Sequence, residues 1–65
     1  MYKNLKVELY KKGITLKKYA SILGVNEKTA RNKINRITDF TYPEFQKTME
    51  LFPELDADYV FEESA

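Results

Sequence analysis

The side chains best equipped for chemistry fall in one short stretch, where Glu27, Lys28, Arg31 and Asn32 stand between Asn26 and Asn35. Ammonium, guanidinium and carboxamide groups are the donors that match the edges of guanine and adenine in a DNA major groove. Lys17, Lys18 and Arg36 flank that stretch, Thr29 lies within it, and all four are candidates for phosphate contact, which needs only approximate placement. Other chemistries lack their reagents. The chain has no Cys and no His, which excludes disulfides, thiolate or imidazole zinc sites and any Ser-His or Cys-His nucleophile pair. Its carboxylates show no spacing that pairs them for acid-base work or magnesium. Gly13 and Gly24 read as helix stops rather than as a phosphate cradle. No enzyme, cofactor or small-molecule substrate is expected.

Elements must hold these side chains in place, and 65 residues make one domain, 1–65, with no linker, repeat or low-complexity stretch. A chain of this size buries about 60% of its unfolded surface, so its stability should be modest, ~3–5 kcal/mol. A deep cleft would compete with the core for the same apolar residues. No apolar run approaches the ~20 residues of a membrane span, and the first residues do not read as a signal peptide, so a cytoplasmic protein is expected. The net charge of +1 hides an asymmetry. Residues 1–36 carry ten Lys/Arg against Glu8 and Glu27, a balance of +8; residues 37–65 carry Lys47 against eight acids, a balance of −7. A basic half points to a polyanionic partner.

The periodicity is helical throughout and gives an all-α reading, a compact bundle of about five short helices. A first helix, about Tyr2 to Lys12, puts Tyr2, Leu5 and Leu9 on one stripe and ends at Gly13. Thr15 caps a second helix with Tyr19, Ala20 and Leu23 on one face, and Gly24 stops it. Asn26 caps a third, running to about Asn35, with Ala30 and Ile34 inward and a wide polar face that includes Lys33 in solvent. After a loop over 36–40, Thr41-Tyr42-Pro43-Glu44 reads as a capping box. The fourth helix carries Phe45, Met49 and Phe52 on a stripe that Pro53 ends, and Leu55 to Phe61 forms a last short helix capped by Asp56. Leu5, Leu9, Ala20, Leu23, Ile34, Phe45 and Met49 are the expected core.

Helices two and three, joined by Gly24-Val25-Asn26, form a helix-turn-helix in which the second helix protrudes. A helix about 10–12 Å across fits the major groove. The stretch from Gly13-Ile14-Thr15-Leu16 through Glu27-Lys28-Thr29 resembles the lambda-repressor-like family of phage repressors and Cro proteins. Asn32-Lys33-Ile34-Asn35, Phe40-Thr41-x-x-Glu44 and Leu55-x-x-Asp58-Tyr59-Val60-Phe61-Glu62 are similar to a phage-type subgroup of it. The resemblance implies a five-helix bundle with helices two and three on DNA. It places Glu27, Lys28 and Asn32 at base-reading positions with Arg31 nearby, Thr15 on a phosphate at the start of helix two, and Asn35 and Thr38 on the backbone after helix three. Three positions depart from the family: Leu16 replaces a phosphate-contacting Gln, Arg36 replaces a Gly, and Ile37 with Asp39 occupies a loop that is often basic.

A double-stranded-DNA-binding regulator of transcription, phage or prophage encoded and acting by operator occupancy in a bacterial cytoplasm, is the expected function. The alternative is a protein-interaction module, antitoxin-like or a phage adaptor, that uses the acidic C-terminal half. Nine aromatics are more than so small a domain can bury fully. Tyr59 and Phe61 are therefore candidates for a homodimer surface, where such residues are enriched.

Overall fold

The computed structural model describes residues 1–63. Five helices follow in order, α1 (Lys3–Lys11), α2 (Leu16–Leu23), α3 (Glu27–Ile34), α4 (Tyr42–Glu50) and α5 (Ala57–Val60), with no strand among the described residues. The expected all-α architecture is thus the observed one. Among the described residues no helix is long and apolar enough to cross a membrane.

The caps set the boundaries. Thr15 Oγ1 accepts from the Lys18 N–H at 3.1 Å, and Asn26 Oδ1 accepts from the Thr29 N–H at 2.7 Å. Thr41 and Glu44 form the reciprocal capping box of α4. Asp56 stands at the N-cap of α5 but makes no side-chain capping bond, contrary to its expected role. That helix is held instead by α1: Asn4 Nδ2 donates to the Tyr59 carbonyl at 2.9 Å, and the Tyr59 hydroxyl donates to Glu8 Oε2 at 2.8 Å.

Three helix ends share one geometry. After α1 the N–H groups of Gly13 and Ile14 donate to the carbonyls of Tyr10 and Leu9; after α2 those of Gly24 and Val25 donate to Ser21 and Ala20. Both glycines are left-handed, with φ of 70° and 78°. After α3 the same pair of bonds runs from Arg36 and Ile37 to Lys33 and Asn32, and Arg36 takes φ 64° without being a glycine.

The core consists of Leu5, Leu9, Tyr19, Ala20, Leu23, Ala30, Ile34, Phe52 and Val60. Two expectations for α4 need correction. Phe45 and Met49 are half-buried rather than core, and Phe52 is fully buried but lies beyond the helix. The chain tightens after Glu50, where the N–H groups of Leu51 and Phe52 donate to the carbonyls of Thr48 and Met49, and this turn carries the Phe52 ring inward. The buried face of α4 is polar, formed by Glu44 and Thr48. Thr48 meets Tyr19 across the core at 2.6 Å. Because the Thr48 hydroxyl donates to the Glu44 carbonyl at 2.9 Å, the Tyr19 phenol is the donor to Thr48.

Lys33 also departs from expectation. It was expected in solvent, yet it is 7% exposed and its ammonium lies 2.8 Å from Glu44 Oε1 and 2.9 Å from the Asp39 carbonyl that it donates to. Its position at i+3 from Ala30, beside Ile34, puts it on the inward stripe, where only a carboxylate partner makes an ammonium tolerable.

Candidate nucleic-acid interface

The first turn of α2 contains Lys17 and Lys18, both exposed, and no acid. A helix N-terminus already carries about half a positive charge, so two lysines there act against the helix dipole. Thr15, also exposed, spends its hydroxyl as an acceptor for the Lys18 N–H and keeps its own proton for an outside acceptor.

Helix α3 packs on α2 and buries Ala30, Lys33 and Ile34, and its opposite side holds Lys28, Arg31 and Asn32, with the C-cap Asn35 in line, at i, i+3, i+4 and i+7. Lys28, Arg31 and Asn35 are exposed and Asn32 is half-exposed; Glu27 precedes them in the first turn, also exposed. Thr29 is half-buried at the edge of this stripe, with its N–H given to Asn26. Thr15 and Leu16 share the walls of one groove with Arg31 and Asn35, so the start of α2 and the polar stripe of α3 open on the same side.

Beyond α3 the backbone candidates divide. The Asn35 N–H closes α3 on the Arg31 carbonyl at 2.9 Å, and the Thr38 N–H donates to the Asn32 carbonyl at 3.3 Å. Their side chains are exposed. Arg36 is engaged within the chain: its guanidinium lies 2.7 Å from Glu63 Oε1 and 5.7 Å from the centre of the Tyr2 ring. Phe61 turns into an aromatic cluster, with ring centres 5.4 Å from Tyr2, 5.3 Å from Phe40 and 5.1 Å from Phe45. Tyr59 keeps 40% of its surface exposed while its hydroxyl binds Glu8, and that carboxylate pushes the phenol above its ordinary range.

The charge asymmetry of the sequence resolves into a local pattern. The acidic half reaches back to neutralise Lys12 through Glu54 at 3.0 Å, Lys33 through Glu44 and Arg36 through Glu63, while Lys11 pairs with Glu8 at 3.3 Å. Of the ten cations in residues 1–36, Lys3, Lys6, Lys17, Lys18, Lys28 and Arg31 remain without an ion pair among the described residues, and all six are exposed. Four of the six belong to α2 and α3. Among the described residues no group of His, Cys, Asp or Glu is placed to hold a metal ion.

Comparison with protein-family models, with curated proteins and with solved structures finds no match. The Lys33–Glu44 pair behind α3 escaped the sequence reading, although the spacing of Lys33 from Ala30 and Ile34 was a sign of it. Nothing in the order of residues pointed to the contacts of Asn4 with α5.

Proposed function

We propose that this chain is a sequence-specific, double-stranded-DNA-binding regulator of transcription that acts by occupying an operator, as a repressor or Cro-like protein does. Helix α3 enters the major groove with Lys28, Arg31 and Asn32 toward base edges and Glu27 beside them. The start of α2, with Thr15, Lys17 and Lys18, rests on the phosphate backbone, and Asn35 and Thr38 meet it after the turn.

One observation carries this reading. Among the described residues Lys17, Lys18, Lys28 and Arg31 stay exposed and unpaired on the helix pair, while carboxylates elsewhere neutralise Lys11, Lys12, Lys33 and Arg36. Lysines in the first turn of α2 cost stability against the dipole, and an anion docking there repays it. The resemblance to phage repressors and Cro proteins supports the same assignment.

Selection from random duplex DNA with the purified chain tests it. An enriched motif is expected, and its symmetry reports whether one copy or two bind, since paired copies meet half-sites about 34–36 Å apart. With Lys17 and Lys18 on phosphates, log K should fall with log salt at a slope of about −1.8 per copy. Lys17→Ala should weaken all duplexes alike, whereas Asn32→Ala should relax preference at one base pair by ~1–3 kcal/mol. A selection with no enriched motif, or an Asn32→Ala variant with unchanged preference, refutes the assignment.

A further inference from the structure

Between the end of α1, the start of α2 and the side of α3 lies a groove of about 360 Å³, within the roughly 300–1,000 Å³ that ligand pockets span. Leu9 and Ile34, both buried, and the half-buried Ile14 and Leu16 give it an apolar floor. The Tyr10 ring forms one wall and is 85% exposed, the most exposed of the large apolar residues. Lys6 and Arg31 stand at the rim, exposed and unpaired among the described residues, and no carboxylate lines the groove.

We infer that this groove docks an acidic peptide segment of a partner protein, one bulky apolar side chain filling the floor while flanking carboxylates meet Lys6 and Arg31. The apolar floor decides for a peptide over nucleic acid. A duplex presents a stiff convex row of phosphates, and its thymine methyls lie recessed in the major groove, where they cannot be lowered into a concave site. A peptide side chain can fill the floor, cover the Tyr10 ring and bring carboxylates to the rim together, and exposed aromatics of this kind become anchors at interfaces. Rim charges of one sign fix the sign of the partner. The groove stands independently of any DNA role. Because Thr15, Arg31 and Asn35 belong to its walls as well as to the proposed DNA surface, a seated peptide also bars a duplex from α3.

The test uses the full chain and a set of fluorescein-labelled acidic octapeptides, each with one leucine, phenylalanine or tyrosine among aspartates, followed by fluorescence anisotropy. A matched set with lysine for aspartate is the control. Saturable binding of an acidic member, absent in its lysine counterpart, is expected. Tyr10→Ala and Lys6→Glu change exposed side chains and should leave the helical circular dichroism intact. Tyr10→Ala should weaken the peptide by about tenfold or more and leave duplex affinity unchanged. Lys6→Glu should weaken the peptide most at low salt. The inference is overturned if no acidic member saturates, if Tyr10→Ala binds as well as the parent chain, or if Tyr10→Ala loses duplex affinity in the same proportion, which would make the groove part of a nucleic-acid surface. A chain that binds the peptide and selects no duplex upholds the groove and refutes the DNA reading alone.

Discussion

The buried pair behind α3 offers the sharpest physical test of this fold. Lys33 and Glu44 are 7% and 8% exposed, and their charges meet at 2.8 Å. Replacing Lys33 with Met removes the ammonium and keeps the stem volume. It leaves the Glu44 carboxylate buried with only the Thr41 N–H, 2.8 Å away, to satisfy it. Breaking a buried pair from one side costs about 3–5 kcal/mol. A domain of this size holds only ~3–5 kcal/mol in all, so Lys33→Met is expected to be largely unfolded at pH 7. Neutralising the orphan should restore it. In Lys33→Met with Glu44→Gln the amide oxygen still accepts from Thr41, and stability should return to within about 2 kcal/mol of the parent.

The pH dependence separates the two states of Glu44. Burial works to raise its pKa, but the bonds from Lys33 and Thr41 prevail and hold it below the usual 4.5. A depressed folded pKa contributes stability that is complete above the unfolded value and is lost as pH falls through the folded one. In Lys33→Met burial is opposed only by the bonds from Thr41, the folded pKa rises relative to the parent, and the loss of stability as pH falls toward 4 should be smaller than in the parent. Urea denaturation followed by circular dichroism at pH 7 and pH 4 measures both slopes. A coupling energy under about 0.5 kcal/mol in the Lys33–Glu44 cycle, the value of a screened surface pair, or a Lys33→Met variant that follows the parent in acid, would refute the reasoning.

Three further predictions concern the core and the helix ends. Burial pushes the Tyr19 phenol up from 10.0 to about 12. The unfolded phenol ionises first, so stability is complete below pH 10 and should fall by about 2–3 kcal/mol as pH rises to 12. Tyr19→Phe should lose about 1 kcal/mol at pH 7 and most of that alkaline slope, and equal slopes in the two proteins would disprove the assignment. A Cβ at Gly24 meets no atom within 4 Å, so Gly24→Ala should cost about 1 kcal/mol from its positive φ alone. At position 36 the logic reverses: Arg36→Gly and Arg36→Ala both lose the Glu63 pair, yet the glycine variant should be about 1 kcal/mol the more stable by thermal melting. An alanine variant as stable as the glycine one would rule out left-handed strain there.

The elements were legible because their signals are local. Thr15, Asn26 and the Thr41–Glu44 box announce three helix starts within four residues of chain, and Gly13 and Gly24 announce two ends. Arg36 carries the same left-handed turn without the residue that signals it, since two backbone bonds and the contacts with Glu63 and Tyr2 hold it there. What local pattern could not supply was the partner. Glu8 beside Leu5 and Leu9, and Lys33 beside Ala30 and Ile34, both sit on inward stripes and look like polar errors. Lys33 becomes tolerable through Glu44, eleven residues on, and Glu8 through the distant Tyr59 together with Lys11 one turn away.

That dependence links the fold to the candidate site. An apolar residue at position 33 would pack against α4 in many registers, whereas an ammonium that must reach Glu44 Oε1 and the Asp39 carbonyl together admits one. Ionic groups in a core of this size give up stability and select a single arrangement. What they select is the roll of α3 about its axis: with Lys33 inward, Lys28, Arg31, Asn32 and Asn35 fall on the far side. A helix that reads base edges tolerates little error in that angle, because a donor displaced by half a turn reaches no base at all. The double variant at positions 33 and 44, restored in stability but freed of the pair, should therefore fold and yet bind its selected duplex with blunted preference. If it discriminates as sharply as the parent chain, the pair does not set the angle, and the burial of Ala30 and Ile34 suffices.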